Sequence, residues 1–160
     1  MALIDSIRKE TCYVGVEGAT DQEVLEILSD RLFELGIVKE DFKENVILRE
    51  QKFSTGLPLE GYKAAIPHTD ACYVNETCIC VAVLKNPVDF RVMGNPDGEK
   101  VAVHLVLMLA IKEQHAQLDV LKELINLVVQ KEEMIEKIIQ AKDGEAVYRI
   151  LCSNLKKTEE

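Results

Sequence analysis

No apolar run in this 160-residue chain is long enough to cross a bilayer. The longest, Val101 to Ile111, is broken by His104 and falls far short of the roughly 18 to 20 residues that a spanning helix needs. The opening Met-Ala-Leu-Ile-Asp-Ser has no basic segment leading into an apolar core and a small-residue cleavage site, so no secretory signal is read and a cytoplasmic location is expected. Positive charge is scarce. Lys and Arg number 19 against 28 Asp and Glu, a net charge of −9, and the basic residues are scattered among acids, which argues against a nucleic-acid-binding face. A Cys-x-x-Cys pair is also missing. The five cysteines, Cys12, Cys72, Cys78, Cys80 and Cys152, are an odd set that fits a reducing compartment better than a disulfide framework. They are expected to be buried small hydrophobes, with Cys78 and Cys80 on one strand face, and no third and fourth ligand completes a zinc site.

There is no internal repeat, low-complexity tract or linker, and 48% hydrophobic residues suffice for one sizeable core. One domain is therefore expected over residues 1–155, with a frayed tail at 156–160. Thr20-Asp-Gln-Glu23 is a capping box, and Val24, Leu25, Leu28, Leu32 and Leu35 follow at helical spacing up to Gly36, which predicts a helix over 20–35. Phe42, Val46 and Ile47 predict a weaker helix over 39–49, ended by the Gly56 and Pro58 region.

From Tyr62 the texture is β-rich, with runs at 62–66, 77–84, 88–91 and 101–110 and a surface turn at Gly94-Asn-Pro-Asp-Gly98. Val81 to Leu84 and Val101 to Ala110 are nearly continuous in apolar residues, the mark of strands covered on both faces. Beyond residue 112 the helical period returns, with Leu118, Leu121, Leu124, Ile125, Val128 and Val129 on one stripe, then helices over 132–141 and 143–155. The predicted order is helix, helix, sheet, helix, helix, helix. It describes a single-domain α/β sandwich with a central mixed β-sheet flanked by helices.

Histidine is the side chain best suited to act as nucleophile, base or acid at cellular pH, and the chain has three. His68 follows the run Tyr62 to Ile66 through Pro67, so its imidazole is delivered to a strand exit, where chemistry in α/β proteins gathers. His115 stands between the end of the last buried run and the long amphipathic helix, where free amides and the helix dipole favour a neutral ring and attract anions. If the two strands are parallel, both histidines meet at one end of the pair. His104 lies inside an apolar run and is expected to be a buried, hydrogen-bonded imidazole.

Arg49-Glu50, Thr55-Gly56-Leu57, Ala65-Ile66-Pro67-His68-Thr69 and His115-Ala-Gln-Leu118, in that order, resemble the enzyme IIA domains of the sugar phosphotransferase system, of the fructose and mannitol type. The resemblance covers roughly residues 5–153. Val74 to Thr77, Pro87 to Phe90, Met93-Gly94 and Met108 to Leu118 look most like the galactitol-specific proteins. The resemblance implies that His68 accepts a phosphoryl group from the carrier HPr and passes it to a cysteine of a IIB component, with the membrane IIC component met only indirectly. It implies that His115 assists by hydrogen bonding and that Arg49 lies near the phosphoryl group.

Phosphoryl transfer has a loose transition state, so positioning and charge stabilisation suffice and neither metal nor cofactor is demanded. Thr69 is a candidate hydroxyl donor, and it stands where the mannitol relatives commonly have glycine. Asp70 is expected to point away from a dianionic phosphohistidine. A modest apolar patch with a charged rim around His68 would suit transient partners. Two other readings are a regulatory module, whose His68 phosphorylation controls binding to another protein, and a hydrolase built on His68, His115 and nearby carboxylates. The second of these lacks a serine elbow or a complete metal site.

Overall fold

The capping box closes as its residues dictate: the Glu23 amide donates to Thr20 Oγ1 at 3.2 Å, and the Glu23 carboxylate accepts from the Thr20 amide, also at 3.2 Å. The helix it starts, α1 (Asp21–Glu34), ends ahead of Gly36, whose φ of 76° is a left-handed conformation that suits glycine. The structure, a computed structural model, describes residues 3–155, and the tail expected to fray at 156–160 lies outside the described residues.

The second helix, α2 (Phe42–Lys52), starts and ends three residues later than the helical spacing indicated. Val38 bridges Val74, and the Lys39 amide donates to the Tyr73 carbonyl at 2.9 Å, so long-range pairing holds Val38 and Lys39 out of the helix, and a turn at Glu40 and Asp41 leads into it. Before α1 runs a strand that the sequence pattern did not reveal, β1 (Ile7–Val16). Its buried residues, among them Ile7, Thr11, Cys12 and Val16, are spaced irregularly around exposed Lys9 and Glu10, so no period of two is legible. The order is therefore strand, helix, helix, sheet and three helices.

The remaining strands are β2 (Gly56–Leu57), β3 (Lys63–Ala65), β4 (Cys78–Arg91) and β5 (Lys100–Ala110). They form one mixed sheet in the order β1-β4-β5-β3-β2, with β1/β4 and β3/β5 parallel and β4/β5 and β2/β3 antiparallel. β4 unites the runs 77–84 and 88–91. Its register against β5 slips between Val83 and Val88, which is where Pro87, unable to donate to a ladder, is tolerated.

Both faces are covered, as the continuous apolar runs require. Ile79, Val81 and Val83 of β4 and Leu105, Leu107 and Leu109 of β5 pack under α3 (Gln117–Gln130), α4 (Glu132–Ile139) and α5 (Gly144–Leu155). Cys78, Cys80, Ala82 and Met108 face the opposite layer, made by α1 and α2 through Val24, Leu28, Leu32, Phe42 and Val46. In α3 the fully inward positions are Val120, Leu124 and Val128, whereas Leu118 and Val129 are 58% and 59% exposed. The packed phase of that helix is thus narrower than its apolar stripe.

Two further expectations are corrected. Lys63 pairs with Val103 but Ala64 pairs with Leu105, so His104 is the extra residue of a bulge. It is half-buried with its ring edge-on to Tyr62, centroids 4.9 Å apart, and is not a fully buried core imidazole. Among the cysteines, Cys12, Cys78 and Cys80 are buried and Cys152 is half-buried, but Cys72 is exposed. Burial pushes the Cys12 thiol up to about 12 and that of Cys80 well above its ordinary value, which makes both poor nucleophiles.

Candidate active site

β3 and β5 are parallel, so the chain leaves both at the same edge of the sheet. His68, three residues past β3, forms a parallel bridge with Leu109, and the Leu109 amide donates to the Pro67 carbonyl at 3.0 Å. After β5 the chain enters a 3-10 turn, Gln114–Ala116, that carries His115. Gln117, the next residue, donates from Nε2 to the Thr69 carbonyl at 2.9 Å. That bond ties the segment bearing His115 to the segment bearing His68. His115 is exposed and precedes Ala116, the cap of α3, so it sits in the turn ahead of the helix rather than in its first turn.

The His68 ring is oriented by the main chain. Its Nδ1 lies 3.0 Å from the carbonyl oxygen of Ile66, and since a carbonyl can only accept, the proton of the neutral ring belongs on Nδ1. The lone pair is then on Nε2. Burial lowers the pKa of His68 from its ordinary value; the Ile66 carbonyl opposes this by stabilising the cation, Arg49 adds to the lowering and Asp70 opposes it. The group is thereby kept neutral and nucleophilic.

Arg49 comes from the last turn of α2. Its guanidinium lies over the Phe53 ring, 5.1 Å from the centroid, and Nη1 stands 3.7 Å from the Asp70 carboxylate. Asp70 therefore does not point away: it is largely exposed, yet the guanidinium draws it towards the site. Arg49 Nε is buried and has no hydrogen-bond partner among the described residues, a donor awaiting an acceptor. Thr69 is buried at 4% exposure, and its carbonyl is the group seen bonded, to Gln117.

One residue of the site was quoted in the sequence only beside Arg49 and given no role. Glu50 is 5% exposed, and its carboxylate accepts from the Thr55 amide and the Thr55 hydroxyl, each at 2.8 Å. Thr55 Oγ1 in turn accepts from the Ile66 amide at 3.1 Å. Burial pushes the Glu50 carboxyl up to about 7, against the lowering effect of both Thr55 bonds. Nothing in the sequence separates this glutamate from the solvated acids of neighbouring turns; only its place before Thr55-Gly56 hints at more.

Leu48, Phe53 and Leu118 flank these residues along the chain and are 47%, 60% and 58% exposed. Of these, Phe53 is seen against the site, with the Arg49 guanidinium over its ring. No three His, Cys, Asp or Glu side chains converge in a metal-holding group among the described residues. The arrangement can offer Nε2 of His68 to an electrophile and bring a guanidinium and further donors to an anion formed there.

The family model of the phosphoenolpyruvate-dependent sugar phosphotransferase system, EIIA 2, matches residues 5–154. The galactitol-specific EIIA component of Escherichia coli K12 is 30% identical over 125 residues, 78% of this chain and 81% of that protein. A PTS IIA protein, PtxA, from Streptococcus mutans has a crystal structure that superposes with a TM-score of 0.72 at 22% identity, over 98% of this chain and 92% of the other. The enzyme IIAMTL of Escherichia coli, solved in complex with phosphorylated enzyme IIBMTL, superposes with a TM-score of 0.68 at 18% identity, over 92% and 99% of the two chains.

Proposed function

We propose that this chain, which belongs to the EIIA 2 family of the phosphoenolpyruvate-dependent sugar phosphotransferase system, is a phosphocarrier whose His68 is the covalent intermediate. The observation that carries this reading is a neutral His68, held through Nδ1, beside an Arg49 whose Nε has no partner among the described residues.

The first step begins with phospho-HPr as donor. Nε2 of His68 attacks the phosphorus of the donor phosphohistidine in line; the new N–P bond forms as the donor N–P bond breaks, and the donor imidazole leaves with its electron pair. His68 keeps its proton on Nδ1, against the Ile66 carbonyl, so the phosphorylated ring is cationic and remains a good leaving group. In the second step a cysteine thiolate of a cognate IIB component attacks phosphorus, the S–P bond forms, and His68 departs as the neutral ring. Arg49 stabilises the charge on the phosphoryl oxygens, and His115 donates an N–H to one of them. Thr69, its carbonyl held by Gln117 Nε2, supports the site and lends its hydroxyl to a phosphoryl oxygen.

Docking of HPr and of IIB in turn uses the exposed apolar residues Leu48, Phe53 and Leu118, whose exposure suits transient contacts. The acceptor assignment draws on the mannitol relative solved with phosphorylated IIB, and a hexitol of the galactitol kind draws on the galactitol-specific relative. Residues 1–155 act as one unit in the cytoplasm and touch the membrane component only through IIB. No helix among the described residues is long and apolar enough to cross a membrane.

The test is transfer of label from radiolabelled phosphoenolpyruvate, through enzyme I and HPr, to the wild type, His68→Ala and His115→Ala. Acid-labile label on the wild type, none on His68→Ala and slower gain on His115→Ala are expected. A wild type that stays unlabelled, or a labelled His68→Ala, overturns the assignment.

A further inference from the structure

We infer that Glu50 and Thr55 are positioning residues for His68, a buried carboxylate and hydroxyl that fix the Ile66 carbonyl and through it the tautomer and aim of the imidazole. This deepens the phosphocarrier reading, and its kinetic arm rests on that reading.

Polarity runs one way along the chain of bonds. An ionised carboxylate only accepts, so the Thr55 amide and the Thr55 hydroxyl both donate to Glu50, at 2.8 Å each. The hydroxyl has one hydrogen, now committed, so Thr55 Oγ1 faces Ile66 as an acceptor and takes its amide at 3.1 Å, with the Thr55 carbonyl sharing that amide at 3.4 Å. The next carbonyl along the chain, that of Pro67, is held by the Leu109 amide of β5 at 3.0 Å. Ile66 is thus clamped on its amide side by Thr55, and its successor is clamped by the sheet. Its own carbonyl, which belongs to a peptide with no N–H because Pro67 follows, is left facing Nδ1 of His68 at 3.0 Å.

Every member between the two ends is buried: Glu50 at 5%, Thr55 at 4% and Ile66 at 0% exposure. A helix end needing only to close a turn could do so with an exposed cap. A carboxylate taken out of water is costly unless its bonds are made, and here both oxygens are used on one residue. The charged groups of other elements that line the same cleft as Glu50 are Asp21 of α1, Asp89 and Arg91 of β4 and Lys100 of β5. None of them hydrogen-bonds to it, so Thr55 is its only bonded partner among the described residues.

The deciding experiment has two readouts on ¹⁵N-labelled wild type, Glu50→Gln, Thr55→Val and Thr55→Ser. The first is the protonation of the two His68 ring nitrogens by long-range proton–nitrogen correlation at pH 8, which needs no phosphate. The second is the rate of label gain from phospho-HPr at rising donor concentration.

Wild type and Thr55→Ser are expected to carry the proton on Nδ1. Thr55→Val and Glu50→Gln are expected to show mixed tautomers and a saturating rate at least about tenfold lower, with KM changed less than about twofold. Folded Thr55→Val and Glu50→Gln that keep the wild-type tautomer overturn the inference. If both variants unfold, the wild type decides: its His68 ring signals must show a transition at the midpoint of the Glu50 side-chain carbon signal, and their indifference to that midpoint overturns it. A wild type that gains no label removes the carrier reading alone, since the tautomer still reports whether Glu50 and Thr55 orient His68.

Discussion

Arg49 Nη1 stands 3.7 Å from the carboxylate of Asp70, two residues beyond His68, so on the phosphocarrier reading the guanidinium that would receive a phosphoryl group is already engaged by a carboxylate. Both side chains are substantially exposed, and such pairs contribute about 1 kcal/mol or less. Asp70 therefore competes mildly with phosphate for Arg49 and also repels it. Asp70→Asn should raise the equilibrium phosphorylation of His68 against HPr by up to about fivefold and lengthen the lifetime of the phosphorylated form. Quantifying labelled protein at fixed HPr ratios checks this, and a lower phosphorylated fraction contradicts it.

Arg49→Lys keeps the positive charge but loses the fork and the partnerless Nε. We expect the rate of phosphoryl gain to fall about 100-fold, the scale of removing one aligned donor to a developing anion. Its unfolding midpoint should stay close to that of the wild type, since the Asp70 pair is weak. Stopped-time labelling alongside a urea melt separates the two, and an unchanged rate would remove Arg49 from the chemistry.

His115 is exposed and lies in a 3-10 turn outside the packed core. His115→Ala should slow phosphoryl gain by roughly 10- to 100-fold while leaving stability within about 0.5 kcal/mol. Gln117→Leu, which removes the bond to the Thr69 carbonyl, should slow it less by loosening the turn. A Gln117→Leu effect larger than that of His115→Ala would show that anchoring, not the imidazole, matters there.

The pH dependence of stability has a definite sign at Glu50. Its folded value is raised from 4.5 to about 7, so between those values the folded protein holds a proton that the unfolded chain has released. The associated stabilisation is present below about 4.5 and is lost as the pH rises through about 7, a change of about 3 kcal/mol. Denaturant melts at pH 5 and pH 8 should show the wild type losing stability relative to Glu50→Gln by that order. His68, whose value is lowered, destabilises on acidification instead, and its part is separated by making the same comparison on a His68→Ala background.

A Cβ built on Gly144, at the start of α5, would collide with the backbone carbonyl of Cys12 in β1. Backbone cannot step aside as a flexible side chain can. Gly144→Ala should cost on the order of 2 kcal/mol or more, mainly by lifting α5 off β1. A thermal melt checks it, and a stabilised variant would show that the helix sits farther from the strand.

Much of this protein was legible along the chain. The capping box at Thr20, the glycine stop at Gly36, the doubly covered strands and the place of His68 and His115 after two strand runs follow from spacing and residue type, because short-range sterics and periodic burial act on neighbours, whereas the parallel pairing of those strands is set by the sheet. The relation of Arg49 to the site came with the family resemblance. Strand β1 stayed hidden, since an edge strand with irregular burial carries no clean period. So did the late start of α2 and the bulge at His104, each set by a partner far along the chain, and the exposure of Leu118. Asp70 turned towards Arg49, 21 residues back, for the same reason, and Glu50 turned inward to Thr55 where the end of α2 is buried. Residue type states what a side chain can bond or bury, but which carboxylate meets a guanidinium and which leaves water for a hydroxyl depends on non-local packing, and that was decided only when the sheet and its two helical layers closed around them.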